Sequence, residues 1–470
     1  MNLAEDRLIA GIRMQSLLPD LLESPQFVLD AKHYQDEFLL ARRKIEAATC
    51  NKIRLAKLAS VFVPNRLRLV TVASPKAGAP YLRAHDIFET RPESERFVSK
   101  QRSPDYDDLL LKDGMILTPS SGRNLGPIAY VGAALAGFAM TDIMRIVPSN
   151  RQVGFYLLAY LQTSVVQALI RRGRTGSNVD HLAPKTMEDI PVLWPSDKQV
   201  EDIATRVEAA ADSIDSARLT LNSLEEEFHS KCGLDRTWTG YSDESERNRL
   251  ETYSVGSEQL SLRIDAAFYG PRVRQARTAI GARASDNLCD VADLIMLGRY
   301  KRYYVSSEFG IPILSGRQLL QLHPVGLKSI SARSFADIDR FKLREGMCVF
   351  TCDGRSEEAL AAPAYVFKHW DGWLASNHVM RANPRSGVHP GFVYLALRSP
   401  YVQIQLKSRA TGSVIDALDP PTVADVLVPR LSTTEENCLG QRSVEAWDKI
   451  SRYIEDMKQL VKETESLFGG

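Results

Sequence analysis

The sequence predicts an α+β protein: two similar domains in a pseudo-twofold arrangement, joined by two long antiparallel coiled-coil helices. Three observations predict this. A set of short motifs occurs twice in the same order, each copy mixes short strand-like and helix-like runs, and each copy ends in a long proline-free amphipathic run. The paired motifs are Leu29-Asp30-Ala31-Lys32-His33-Tyr34 with Ile264-Asp265-Ala266-Ala267-Phe268-Tyr269, Gly114-Met115 with Gly346-Met347, Arg174-Thr175-Gly176-Ser177 with Ala410-Thr411-Gly412-Ser413, and Asp189-Ile190-Pro191-Val192 with Asp425-Val426-Leu427-Val428. The offset is 235 from Asp30 to Asp265, 232 from Gly114 to Gly346 and 236 from Gly176 to Gly412. So constant an offset means a duplicated domain-sized unit and excludes a short-repeat solenoid.

In chain order, residues 1–28 read as a leader helix, with Leu8, Ile9, Ile12, Leu17, Leu18, Leu21 and Leu22 forming a stripe before Pro25. The first domain spans 29–195. Arg54 to Val63 has helix-like apolar spacing, Arg68 to Val72 has strand character, and Gly78 to Leu82 leads into Asp86-Ile87. Asp113 to Thr118 reads as a turn entering a buried strand, followed by the loop Ser120 to Gly126. Val153 to Leu169 has Phe155, Leu158, Leu161, Val165 and Leu169 at helical spacing, and the domain closes on Ile190-Pro191-Val192 after a polar loop. A first spacer helix takes 196–233 and a Ser-, Glu- and Arg-rich bridge takes 234–261. The second domain, 262–432, repeats the plan: Val349-Phe350-Thr351 precedes the loop Asp353 to Ser356, and Gly391 to Leu406 takes the helix position. The strands are too irregularly spaced for a βαβ array. The second spacer helix occupies 433–470.

Both spacer helices open on a capping pattern, Ser196 with Gln199 and Thr433 with Glu436. Val200, Ile203, Val207, Ile214, Leu221, Leu224 and Phe228 line one face of the first; Val444, Trp447, Ile450, Ile454, Met457, Val461 and Leu467 line one face of the second. Each helix reaches roughly 50 Å at 1.5 Å per residue. An apolar stripe of that length must be covered, by the sibling helix, by its own domain or by another protein. Equal lengths and matching places in the repeat favour the sibling.

Hydrophobic residues at 44% and charged residues at 25% are ordinary for a folded protein. No run approaches the roughly 18 apolar residues of a membrane span, the start has no signal-peptide pattern, and the six cysteines lack framework spacing, so a cytoplasmic setting is expected. A formal charge of +1 gives little long-range attraction for nucleic acid, so any such surface must be local. The basic clusters are Arg42-Arg43-Lys44, Arg171 to Arg174 and Gly298-Arg299-Tyr300-Lys301-Arg302-Tyr303-Tyr304, the last interleaved with aromatics.

Catalytic motifs are missing. There is no P-loop, no dinucleotide fingerprint and no Gly-x-Ser-x-Gly. Leu418-Asp419-Pro420-Pro421-Thr422 superficially resembles an amino-methyltransferase signature, but threonine stands where a flipped base needs an aromatic ring. Neither the spacing of Cys348 and Cys352 nor that of Asp105, Asp107 and Asp108 makes a metal site. The expectation is a non-enzyme that binds no metal or cofactor.

The duplicated openings at Leu29 and Ile264, the Thr-Gly-Ser turns and the two helical regions together resemble the specificity (S) subunit of type I restriction-modification systems, over Leu29 to Phe468. That resemblance implies two target recognition domains reading a split sequence on double-stranded DNA as part of phage defence. It also implies two copies of a DNA adenine methyltransferase subunit that carry S-adenosylmethionine, and ATP-dependent restriction subunits that join them. In the resembling loop regions the candidate DNA-binding residues are Arg66, Arg123, Asn124 and Arg174 in the first domain, and Lys301, Arg302, Tyr303, Tyr304, Arg317, Arg355 and Asn377 in the second. Arginine can grip guanine O6 and N7, asparagine can match adenine N6 and N7, and lysine suits phosphate. A protein–protein scaffold with peptide-binding lobes, or a nuclease acting alone, are the competing classes.

Overall fold

The computed structural model describes residues 7–9, 12–14, 36–64, 69–72, 75–94, 96–104, 106–122, 125–175, 180–241, 250–261, 263–334, 337–354, 359–412 and 415–469. The duplication holds strand by strand. In the first unit the strands Ala59–Phe62, Ile143–Pro148, Ile116–Pro119 and Ala129–Tyr130 lie side by side in that order; in the second, Ala292–Met296, Val379–Pro384, Cys348–Thr351 and Pro363–Tyr365 do the same. A second sheet recurs as well. Ala139–Met140, Gly78–Leu82, Phe97–Ser99 and Thr71–Val72 match Leu374–Ala375, Gly310–Leu314, Lys328–Ser331 and Tyr304–Val305 in order. Strands this short suit a mixed α+β unit in which helices close one side of each core.

A buried arginine recurs at the same place in both units. Arg145 donates to the carbonyls of Leu109 at 2.7 Å and Met140 at 3.1 Å, and Arg381 donates to that of Phe341 at 3.0 Å. The Leu109 and Phe341 carbonyls so satisfied each end a short helical segment, where a buried backbone requires a partner.

Several sequence expectations are corrected. Arg54 to Val63 is not helical: Asn51–Arg54 and Ala59–Phe62 are strands flanking one 3-10 turn. Leu55, Leu58 and Val61 step by three as in a helix, but Ala59 and Val61 alternate with exposed neighbours, and pairing with Ile143–Pro148 decides for the strand. Within the leader, Arg7–Ile9 and Ile12–Met14 pair as antiparallel strands and so are not helical as expected, while Leu17, Leu18, Leu21 and Leu22 lie outside the described residues. The single helices expected at 153–169 and 391–406 are each two, Arg151–Tyr160 with Ser164–Arg172 and Pro390–Arg398 with Pro400–Ser408. Pro400 supplies a physical reason in the second unit, because the residue before a proline resists helix.

The long helices are Asp197–Lys231 and Thr433–Glu465. The second is capped by Ser432 with Glu435, one residue earlier than the expected Thr433 and Glu436. They run antiparallel, since Arg206 bonds Glu463 at 2.7 Å, Arg442 bonds Glu227 at 2.6 Å and Lys231 bonds Glu435 at 3.2 Å. All the stripe residues named above are buried or half-buried. Their partners, however, include the units as well as the sibling. Trp447 stacks on Tyr365 and Phe367 of the second unit, and Phe228 packs edge-on against Phe392 of that unit.

Each long helix begins against its own unit and ends against the other. At its start, Asp197 of the first accepts from Trp194 Nε1 at 2.9 Å, and at its middle Asp215 accepts the Ala134 backbone N–H at 2.9 Å; at its end, His229 Nε2 meets Ser399 Oγ at 3.1 Å. The second starts with Gly440 against Gly391 and ends with Glu465 bonded to Ser164 and Phe468 stacked on Tyr160. The picture of a bare rod holding two heads apart is therefore corrected: the pair is clasped between them. The heads also touch. Thr90 N–H donates to Leu320 O at 2.7 Å and Leu322 N–H to Phe88 O at 2.9 Å, with Glu89 opposite Gln321.

At this contact burial, reinforced by Asp86, raises the Glu89 carboxyl from 4.5 to about 7. A carboxyl raised on folding stabilises fully below its unfolded pKa, and that contribution is lost as pH climbs through about 7. Glu89→Gln should flatten the pH dependence of stability between pH 4.5 and 7 and raise stability above pH 7. Thermal midpoints across that window test it; a variant that tracks the parent at every pH would refute the assignment.

Candidate nucleic-acid interface

The segment after strand Ala292–Met296 leads into Tyr304–Val305, an edge strand that among the described residues pairs only with Lys328–Ser331. An edge strand leaves side chains and backbone uncovered, and here Tyr303 and Tyr304 are 47% and 52% exposed, with Phe309 at 75%. Ile295, Met296 and Val305 add to this exposed set. Cations lie over the rings: Lys301 Nζ is 4.9 Å from the Tyr303 centroid and Lys328 Nζ 5.0 Å from that of Tyr304. Solvent-facing aromatics with ammonium groups on their faces offer both a phosphate partner and an apolar surface for sugar or base.

Beside this patch lies a chain of polar groups. The Arg302 guanidinium sits 5.1 Å from the Tyr300 ring and donates from Nη2 to Asn377 Oδ1 at 2.6 Å. Asn377 Nδ2 meets His378 Nε2 at 3.2 Å, and His378 Nδ1 pairs with the Asp353 carboxylate. Strand register makes this possible. Val379 pairs with Thr351, so the residues preceding one and following the other, His378 and Asp353, meet at the same sheet corner.

The first unit has the same corner with other chemistry. Ile143 pairs with Pro119, which brings Ser120, Ser121, Thr141 and Asp142 together. Ser120 Oγ donates to Asp142 O at 3.0 Å, and Thr141 Oγ1 lies 2.8 Å from Tyr81 Oη. Asp142 has φ +56, a left-handed conformation that costs an L residue energy and that aspartate tolerates better than most.

Of the sequence candidates, Lys301, Arg302, Tyr303, Tyr304 and Asn377 converge on this one corner. Arg174 is held locally, donating to Arg171 O at 2.8 Å and lying 3.5 Å from Asp180. Arg317 is a correction: its turn, Gly316–Leu320, is docked on the first unit through Leu320, and its charge faces Glu89 at the contact between heads. Arg66, Arg123, Asn124 and Arg355 lie outside the described residues. Sequence reasoning missed Lys328, Asp353 and His378. The signal available was the repeat itself, because aligning Ile143 with Val379 sets Thr141-Asp142 against Asn377-His378.

Leu418 to Thr422 is structural. Asp419 caps the short helix Pro420–Val423, with Thr422 returning the bond to the cap backbone. Among the described residues no group of three His, Cys, Asp or Glu could hold a metal ion, and no single helix is long and apolar enough to cross a membrane.

No protein-family model matches the chain, and no curated protein matches it significantly. Among solved structures the fold is similar to the S subunit of a type I restriction-modification system from M. genitalium, at 12% identity and a TM-score of 0.36, covering 90% of this chain and 96% of that one. It is similar also to the HsdS subunit from Thermoanaerobacter tengcongensis, at 13% identity and a TM-score of 0.27, covering 89% and 95%. A third likeness, at 13% and 0.27 over 89% and 96%, is to a chain from a study of complex assembly and conformational transition in the type I system. Likenesses this distant leave the functional case to the chain's own residues.

Proposed function

We propose that this chain is a non-catalytic DNA-recognition subunit of the type I specificity kind, reading a bipartite duplex target through its two units. One observation carries the reading: topologically equivalent corners in the two units each present a cluster of hydrogen-bonding side chains, and an antiparallel helix pair relates the units. Duplicated heads turned end for end suit a duplex, whose two strands run in opposite directions and offer half-sites related by a local twofold. The reciprocal contacts, His229 with Ser399 and Glu465 with Ser164, support such a pseudo-twofold arrangement about a coiled-coil pair.

In this reading the patch around Tyr303 and Tyr304 holds the backbone of one half-site while Arg302, held by Asn377, faces bases. With a net charge of +1 the chain alone has little grip on DNA. Two adenine methyltransferase subunits would complete the clamp and bring S-adenosylmethionine, and ATP-dependent restriction subunits would join them. Contact between the heads fixes their spacing more tightly than the helix pair alone could, so the unread stretch should have one length.

The test is sequence-selective retention of duplex DNA by the purified chain with its methyltransferase partner, followed by mapping of methylated adenines. A split motif with a constant gap supports the reading. Retention without selectivity, or selective capture of peptide with no DNA at low salt, would overturn it in favour of a scaffold.

A further inference from the structure

Arg302 is held from several directions at once, and this rigidity identifies the base it reads. Tyr300 lies beneath the guanidinium at 5.1 Å, and Asn377 Oδ1 accepts from Nη2 at 2.6 Å. Asn377 is itself fixed: its amide nitrogen faces His378 Nε2 at 3.2 Å. For Nε2 to accept that bond the imidazole proton must sit on Nδ1, where the Asp353 carboxylate takes it. Every member of the series Asp353, His378, Asn377 and Arg302 thus determines the orientation of the next. Such an ordered series costs conformational entropy at an accessible corner, and nothing in the core needs it: the His378 and Asp353 side chains are 47% and 32% exposed.

We infer that Asp353, His378 and Asn377 are positioning residues for Arg302, and that the second unit thereby reads a guanine. This rests on the DNA-recognition reading above and deepens it. Only some of the guanidinium's five donors are engaged by Asn377, and a planar fork fixed in orientation matches the two acceptors, O6 and N7, on the major-groove edge of guanine. Fixing the fork before binding removes an ordering cost and sharpens rejection of bases whose donors would face it. Among the described residues the first unit shows no such series: Ser121, Thr141 and Asp142 occupy the equivalent corner, and Thr141 is engaged by Tyr81.

The experiment uses the full chain with its methyltransferase partner and a duplex library randomised at each position of the wild-type methylated motif. His378→Ala should lower discrimination at one guanine by roughly ten- to hundredfold, with the other half-site and the thermal midpoint unchanged. Asp353→Asn should relax the same position, and the double variant should be no worse than His378→Ala alone, because both act through Arg302. Unchanged selectivity at every position in His378→Ala, or relaxation in both half-sites together, would overturn the inference while leaving DNA recognition standing. A wild-type complex with no selectivity at all would instead remove the reading on which the inference rests. A motif whose two halves both lack guanine would overturn the base assignment directly.

Discussion

Replacing Glu225 with alanine is expected to cost about 3–5 kcal/mol of stability, the range for breaking a buried ion pair from one side. Glu225 is 5% exposed on the first long helix, where the helix pair meets both units. Arg91 of the first unit and Arg398 of the second both donate to its Oε1, and Arg236 reaches Oε2 at 3.3 Å. Arg91 also donates to Asn222 at 2.7 Å and Tyr394 at 3.2 Å, so one carboxylate ties together three parts of the chain. Burial works against the charge at both arginines. At Arg91 the Glu225 carboxylate outweighs it; at Arg398 burial and the neighbouring Arg91 depress the charged form. Without Glu225, Arg91 stays buried with no carboxylate partner among the described residues and Arg398 keeps only the half-exposed Glu93. Equilibrium denaturation of Glu225→Ala tests this, and Arg91→Met with Glu225→Leu should recover only part of the loss, because Arg398 stays buried with Glu93 as its remaining carboxylate. A loss under 1 kcal/mol in the single variant would show that the junction opens to water and that the heads are not locked together.

The sequence made the long helices legible because local rules govern them. Periodic apolar residues, absent proline and the capping side chain of Ser196 act within a few residues of one another, so Asp197–Lys231 could be bounded almost to the residue. The duplication was legible for the same reason, being a comparison of the chain with itself. Short segments were not. Leu55, Leu58 and Val61 step by three as in a helix, and a partner 80 or more residues away makes Ala59–Phe62 a strand all the same. The corner around Arg302 depends on register. Asp353 and His378 meet only because Thr351 pairs with Val379, and no local pattern announces that. The contact between heads was invisible for a related reason. Arg91 and Glu225, separated by 134 residues, look like two ordinary surface charges until folding brings them under cover.

Trp447→Ala should cost about 3–5 kcal/mol, the usual range for emptying a large aromatic site, and should loosen the second unit from the helix pair. The indole stacks on Phe367 at 5.3 Å and Tyr365 at 5.7 Å and meets Tyr394 edge-on at 5.3 Å. One heptad earlier on the same helix face, Gly440 permits the close approach of the helix Pro390–Arg398. A Cβ on Gly391 would stand 2.2 Å from Gly440 O, which backbone cannot yield without moving the helix. Gly440 and Trp447 therefore act as one seat, the glycine letting the unit come near and the ring filling the space that remains. The ring's Nε1 is buried without a hydrogen-bond partner, so its contribution comes from area and stacking with a polar group working against it. Trp447→Phe should on that account lose less than Trp447→Ala, because the smaller ring leaves a smaller cavity. Hydrogen exchange separates the outcomes: Trp447→Ala should speed exchange in Pro363–Tyr365 and Pro390–Arg398 while leaving Arg151–Tyr160, on the far unit, protected. Equal losses in the alanine and phenylalanine variants would mean that the indole nitrogen, and with it an unseen partner, holds the unit in place.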